Sequence, residues 1–181
     1  MRIETDRLVL RSWRAEDVDD FLEVNSDPEV MATLGPVMDR EQVAALIVRM
    51  QRIETEHGYC FWAMERGEDH KVIGWCGVIR GWAGPVDGLP EIGWRMRRDC
   101  WGKGYVTEGA SATLDWLFAQ RPDPAAYAIT NTDNYRSRAV MERLGMVYQP
   151  EMDFDHPALA ADDPLLHHVT YRISREEWTA R

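Results

Sequence analysis

The chain has 181 residues, 45% hydrophobic and 29% charged, with a formal net charge of -10; that is the composition of one globular domain with a single core. The acidic balance argues against a nucleic-acid partner held through phosphates, and no run of about 18 apolar residues offers a membrane span. The charged opening MRIETDRLVLRSW lacks a signal-peptide core, and Cys60, Cys76 and Cys100 form no CxxC, so reduced thiols in the cytoplasm are expected.

Thr5 to Trp13 reads as a strand with Leu8 and Leu10 on one face. Ala15 to Asn25 reads as a short helix burying Val18, Phe21 and Leu22, broken at Asp27-Pro28. Asp39 opens a longer helix, with Gln42 in the reciprocal capping position and an apolar stripe at Val43, Leu46, Ile47, Met50 and Ile53; Gly58 is its stop. Tyr59 to Glu65 and Lys71 to Arg80 read as antiparallel strands around Arg66-Gly67-Glu68-Asp69. Gly81 to Pro90 is a Gly/Pro-rich connection, either a loop over a cleft or floppy surface.

The stretch from Glu91 to Phe118 organises the rest. A strand comes first, with Ile92, Trp94 and Met96 on one side and Gly93, Arg95 and Arg97 on the other. After the corner Arg97-Arg98-Asp99 comes Trp101-Gly102-Lys103-Gly104-Tyr105, and then Val106, Ala110, Thr113, Leu114 and Leu117 at helical spacing. The first N–H groups of a helix lack internal partners and carry partial positive charge. Two glycines before them let an anion approach the backbone, which makes a phosphate cradle. Lys103 adds a charge and Thr107 a hydroxyl. An ordinary strand–turn–helix joint is the competing reading. The pattern is neither a P-loop nor GxGxxG.

Arg121-Pro122-Asp123-Pro124 stops the helix, and Tyr127 to Thr130 is a short strand. Asn131 to Met146 reads as a loop and a helix ended by Gly145, with Arg138 and Glu142 able to pair at i,i+4 and Val140 and Leu144 pointing inward. Met146 to Met152 reads as a strand, Asp153 to Leu166 as irregular and acidic, and His168 to Ser174 as a last strand alternating Val169, Tyr171 and Ile173.

WGKGYVTEG resembles the acetyl-CoA pyrophosphate loop of the GNAT superfamily of N-acetyltransferases, Q/R-x-x-G-x-G/A. More narrowly it is similar to the RimJ/RimL-type branch, as is the opening ETDRLVLRSW. Asn134, Ser137, Glu142, Arg143 and Gly145 resemble the N-x-x-S…E-K-x-G-F region, with Met146 replacing Phe. Trp101 stands where Gln or Arg is usual, Val106 where Gly or Ala is usual, and Arg98 replaces a frequent Pro.

The resemblance implies an α/β fold, a mixed and mostly antiparallel twisted sheet flanked by helices, with splayed central strands holding acetyl-CoA. It implies one N-acetyltransferase domain over 1–181. Residues 15–57 look like a substrate-side lid. The acetyl group would pass directly to a primary amine, on a small molecule or a protein N-terminus. Trp94 and Met96 would offer backbone groups to pantetheine and Asn134 would meet it from the other side. Trp101, Gly102, Lys103, Gly104, Tyr105, Val106 and Thr107 would form the phosphate loop.

Among relatives a strand carboxylate near Glu91 can act as base; a solvated Glu opening a strand is the plainer reading. Asp155, His156, His167 and His168 are weaker base candidates. A Tyr that protonates the thiolate in many relatives is replaced by Met141, which leaves Ser137 as acid, or as a helix cap. A covalent route through Cys100 would need an activating partner that the sequence does not offer, so a structural thiol is favoured. The histidines lack metal-site spacing, so no metal is expected. Monomer and homodimer stay open. The rival function is a non-catalytic module that binds or senses acyl-CoA.

Overall fold

A computed structural model describes residues 1–181. The expected first strand is two, β1 (Arg2–Glu4) and β2 (Leu8–Arg11), paired antiparallel. The Thr5 N–H donates to the Leu8 carbonyl at 2.9 Å, and the Leu8 N–H returns to the Thr5 hydroxyl at 3.0 Å. A hydroxyl that satisfies neighbouring backbone groups competes with extension, and here it folds the segment into a hairpin.

A 3₁₀ turn at Ala15–Asp17 leads into α1 (Val18–Asn25). One turn of helix follows, α2 (Pro28–Met31), capped by Asp27 with Pro28 at its first position. In α3 (Arg40–His57) Asp39 and Gln42 exchange hydrogen bonds of 2.9 Å each, the reciprocal cap expected, and Gly58 ends the helix. The strands β3 (Phe61–Arg66), β4 (Val72–Arg80) and β5 (Pro90–Met96) come next. The β4–β5 connection is packed rather than floppy: Ala83 and Val86 are buried.

The chain continues with α4 (Tyr105–Gln120), β6 (Ala125–Asn131), α5 (Tyr135–Arg143), β7 (Val147–Tyr148), β8 (Phe154–Asp155), β9 (His167–Ser174) and α6 (Arg175–Thr179). The strand expected over 146–152 is only two residues, because Pro150 starts a 3₁₀ turn. Arg138 does not pair with Glu142. It donates to the Tyr171 hydroxyl at 3.2 Å and the Thr132 carbonyl at 3.0 Å, and Tyr171 in turn donates to Glu142 at 3.4 Å. A tertiary hydroxyl has displaced the local ion pair.

The sheet runs β1-β2-β3-β4-β5-β6-β9-β7, with β8 paired to β9. Every pairing is antiparallel except β5 with β6. Helix α4 carries the chain from β5 to β6, and such a crossover leaves the two strands parallel. They share one bridge, Glu91 opposite Tyr127, whereas β4–β5 and β6–β9 each hold seven. The sheet is therefore closed on both sides and opens between its middle strands, from Glu91 toward Met96.

Helix α4 covers one face, where Thr113 meets Cys76. On the other face α1 packs against β4 and α3. One cluster of 36 buried residues joins both layers, so there is a single core. Arg11 is buried within it and fully paired, to Glu65 at 2.6 Å and to both oxygens of Asp17 at 2.8 Å. No helix is long and apolar enough to cross a membrane.

Candidate active site

The opening between β5 and β6 continues into a cavity of about 660 Å³. One wall is β5, another the turn into α4, a third the first turns of α5, and α2 with Thr33 and Leu34 roofs it. The arrangement follows from the topology: parallel strands with a single bridge diverge, and the helices that follow each start at their carboxyl ends. Ligand sites of open α/β sheets lie at such ends.

The α4 terminus presents free N–H groups behind two glycines. Gly102 and Gly104 have φ of 73° and 82°, which a side chain would strain. A Cβ built on Gly102 would meet nothing within 4 Å, so that side of the turn is open space. The first bond of the helix is Glu108 N–H to the Gly104 carbonyl at 3.0 Å, which leaves the N–H groups of 105–107 without helical acceptors. Trp101 anchors the turn by donating to the Met96 carbonyl at 2.9 Å, and Arg136 stacks 4.3 Å above its ring.

Support also arrives from the N-terminal hairpin. Arg7 donates to the Lys103 carbonyl at 2.9 Å and to Glu108 at 2.7 Å, and the Thr5 hydroxyl donates to Glu108 at 2.6 Å. Burial would raise the Glu108 carboxyl, but these hydrogen bonds outweigh it and hold the group below its ordinary value. The Glu of TEG is thus a brace for the loop.

Of the expected site residues, Trp94, Met96, Trp101, Gly102, Gly104, Val106, Thr107, Asn134 and Ser137 line the cavity. Lys103 and Tyr105 do not: Lys103 is exposed and Tyr105 is buried under the Arg7 guanidinium. The Met96 carbonyl is taken by Trp101. Asn134 is the cap of α5, accepting from the Ser137 N–H at 3.2 Å and donating to Thr130 at 2.9 Å. Ser137 lines the cavity, and its hydroxyl is not needed for capping, which Asn134 performs. Met141 is buried.

Glu91 lies at the narrow end of the wedge, outside that cavity, with its carboxylate beside Gly81. Burial with no compensating cation raises it to about 7. A second cavity of about 160 Å³ adjoins the first through Thr33 and Leu34, and its walls include Ile129, Thr130, His156 and His168. Burial lowers both histidines. His167 instead is exposed and bonded to Asp155 at 2.5 Å. Cys100 is buried, and burial pushes its thiol up.

Several contributors were missed in the sequence. Arg136 and Arg143 border the cavity along the same face as Val140, and their three- and four-residue spacing carried that signal. Arg7, Thr5 and the residues of α2 act from a distance in the chain that no local pattern reveals. Arg95 was not missed: the sequence clusters it with Arg97, Arg98 and Lys103 at the cofactor cleft, and it lines the cavity.

A family profile described as "Acetyltransferase (GNAT) domain" matches residues 7–147. The chain belongs to the GNAT acetyltransferase family. It is 30% identical over 150 residues to "Uncharacterized protein YkkB" of Bacillus subtilis, spanning 81% of this chain and 86% of that protein. It is 26% identical over 190 residues to "FsC-acetyl coenzyme A-N(2)-transacetylase" of Aspergillus fumigatus, spanning 97% and 77%. In fold it is similar to the crystal structure of a GNAT-family acetyltransferase from Bacillus anthracis, with a TM-score of 0.80, 23% identity, and coverage of 98% and 100%. Acetyl transfer from acetyl-CoA is this family's chemistry, and the mixed sheet open at its centre is its fold.

Proposed function

We propose that this chain is an acetyl-CoA-dependent N-acetyltransferase of the RimJ/RimL-type branch, acting by direct transfer onto a primary amine. The observation that carries the reading is the continuity of one space, from the free N–H groups at the α4 terminus through the β5–β6 wedge to the hydroxyl of Ser137. The loop WGKGYVTEG and its brace Glu108 support the branch, and a transacetylase among the relatives supports nitrogen as acceptor.

In the proposed reaction the unprotonated amine attacks the thioester carbonyl, the new C–N bond forms, the C–S bond breaks, and the amine's proton leaves. Glu91, raised to about 7, has the affinity for a proton that this task needs near neutral pH; from the narrow end of the wedge it would take that proton through water. Ser137 would donate to the departing thiolate. Gly102, Gly104 and Thr107 with the α4 N–H groups would hold the phosphates. The buried Cys100 supports direct transfer over an acetyl-cysteine, because its thiol is not available as thiolate.

Thiol release from acetyl-CoA in the presence of an amine panel tests the reading. Release that depends on an amine, with the acetylated product identified by mass, is the expected result. Tight acetyl-CoA binding without amine-dependent release would make the chain an acyl-CoA sensor instead.

A further inference from the structure

We propose that Arg95 binds a carboxylate carried by the acceptor amine, so that the acceptor is a small amino-acid-like compound rather than a protein N-terminus. The inference rests on the acetyl-transfer reading above and narrows its substrate class.

Arg95 lies on β5 opposite Trp75 of β4, on the face that α1 covers. Its guanidinium stands 5.8 Å from the Trp75 ring centre. One nitrogen, Nη1, donates to the buried side chain of Asn25. The Nε atom is buried with no partner, and no carboxylate lies within ion-pair distance. A guanidinium offers five donors in a planar fork, and one neutral amide is poor compensation for a half-buried charge whose Nε is shut off from water. Burial without a counter-charge lowers its affinity for the proton, to about 10, so it is still a cation at neutral pH.

The second unpartnered Nε in the chain belongs to Arg121. It borders neither cavity and stacks 5.0 Å over Tyr59. Arg95 differs because it lines the 660 Å³ cavity beneath α2. The glycine turn at the start of α4 borders the same cavity and offers the donor's phosphates its own free N–H groups, which leaves the Arg95 fork to the acceptor. A carboxylate entering under α2 would engage the fork in charge-assisted hydrogen bonds, the strongest that guanidinium makes. In an amino-acid-like acceptor that carboxylate sits close to the reacting amine. At a protein N-terminus a peptide carbonyl occupies its place.

Calorimetry on the CoA-saturated protein tests this, using N-acetyl amino acids and their matched amides with acidic, basic, apolar and aromatic side chains. The expected result is one or more free acids binding at least roughly tenfold tighter than the matched amide. That ratio should fall to about one in Arg95→Gln and return in part in Arg95→Lys. In turnover, Arg95→Gln should raise KM for the carboxylate acceptor far more than it lowers kcat. A brace for α1 would instead affect acids and amides alike. The proposal is overturned if no free acid outbinds its amide, or if the preference survives in Arg95→Gln. Should Arg95→Gln fail to fold, the wild-type ratio and Arg95→Lys decide. Neutral amines acetylated without any acid preference would sink this proposal and leave the enzyme reading intact; no amine-dependent thiol release would sink the enzyme reading itself.

Discussion

Arg11, buried, and Arg95, half-buried with its Nε atom enclosed, lie on neighbouring parts of one sheet and are treated in opposite ways. Arg11 is held by Asp17 and Glu65, and every nitrogen of its guanidinium has an oxygen partner. Arg95 has one amide oxygen and a bare Nε. The contrast extends beyond the two residues. Strands β1 to β4 form a zipped half of the sheet in which buried charges are paired. The wedge between β5 and β6 and the cavity beyond it collect groups that are under-paired: the Nε of Arg95, the Glu91 carboxyl at the narrow end, and the first N–H groups of α4. Unpaired buried polar groups are costly, so their concentration in one place marks where a ligand completes the structure.

That contrast can be broken first at its stable end. Asp17→Ala leaves Arg11 half-paired in the core and should cost about 3–5 kcal/mol of stability, read from urea unfolding. A loss below about 1 kcal/mol, the size of a surface pair, would show that the network is no core element.

In the wedge the sign should reverse. Glu91 binds its proton up to about 7 when folded, against an ordinary value of 4.5. Below 4.5 both folded and unfolded forms hold the proton. As pH rises the unfolded chain ionises first, so this group withdraws stability, by up to about 3 kcal/mol above pH 7. Glu91→Gln should therefore be more stable than the parent above pH 7 and equal to it below 4.5, by unfolding at a series of pH values. The same variant should depress kcat/KM most at low pH and recover in part as the amine deprotonates itself. Superimposed pH–rate curves would make Glu91 only the start of a strand.

Ser137→Ala should leave stability nearly unchanged, since Asn134 does the capping, and should lower kcat by roughly 10²-fold with little change in acetyl-CoA affinity. Near-normal single-turnover rates would remove it from the reaction. Gly104→Val places a branched side chain at a φ of 82°; it should weaken acetyl-CoA binding by roughly tenfold or more and cost about 1–3 kcal/mol of stability through backbone strain. Unchanged affinity in a folded variant would move the phosphate cradle elsewhere. The smallest effect is expected at Arg95, where Arg95→Gln should change stability by about 1 kcal/mol or less, in contrast to breaking the Arg11 network.

Much of the fold could be read locally. The α3 cap at Asp39 and Gln42, the glycine turn before α4 and the alternation of β5 and β9 are set by neighbours a few residues apart, and they stand where the pattern put them. The first strand was misjudged because Thr5 folds it back on itself. The 138–142 ion pair was misjudged because Tyr171, a residue of β9, competes for both partners.

For the site, the residue types and their spacing were enough to single out the glycine turn before α4, Ser137 and Glu91 as candidates. Which of them face the cavity was decided only in three dimensions: Lys103 and Tyr105 turn away, Asn134 is occupied as a cap, and Glu91 is set apart at the closed end of the wedge. The bracing of the loop by Arg7 and Glu108, and the isolation of Arg95, depend on elements far apart in the chain. Capping and periodicity are short-range and survive in a linear string. Burial and the presence or absence of a counter-charge depend on what packs alongside, and only the folded sheet determines that.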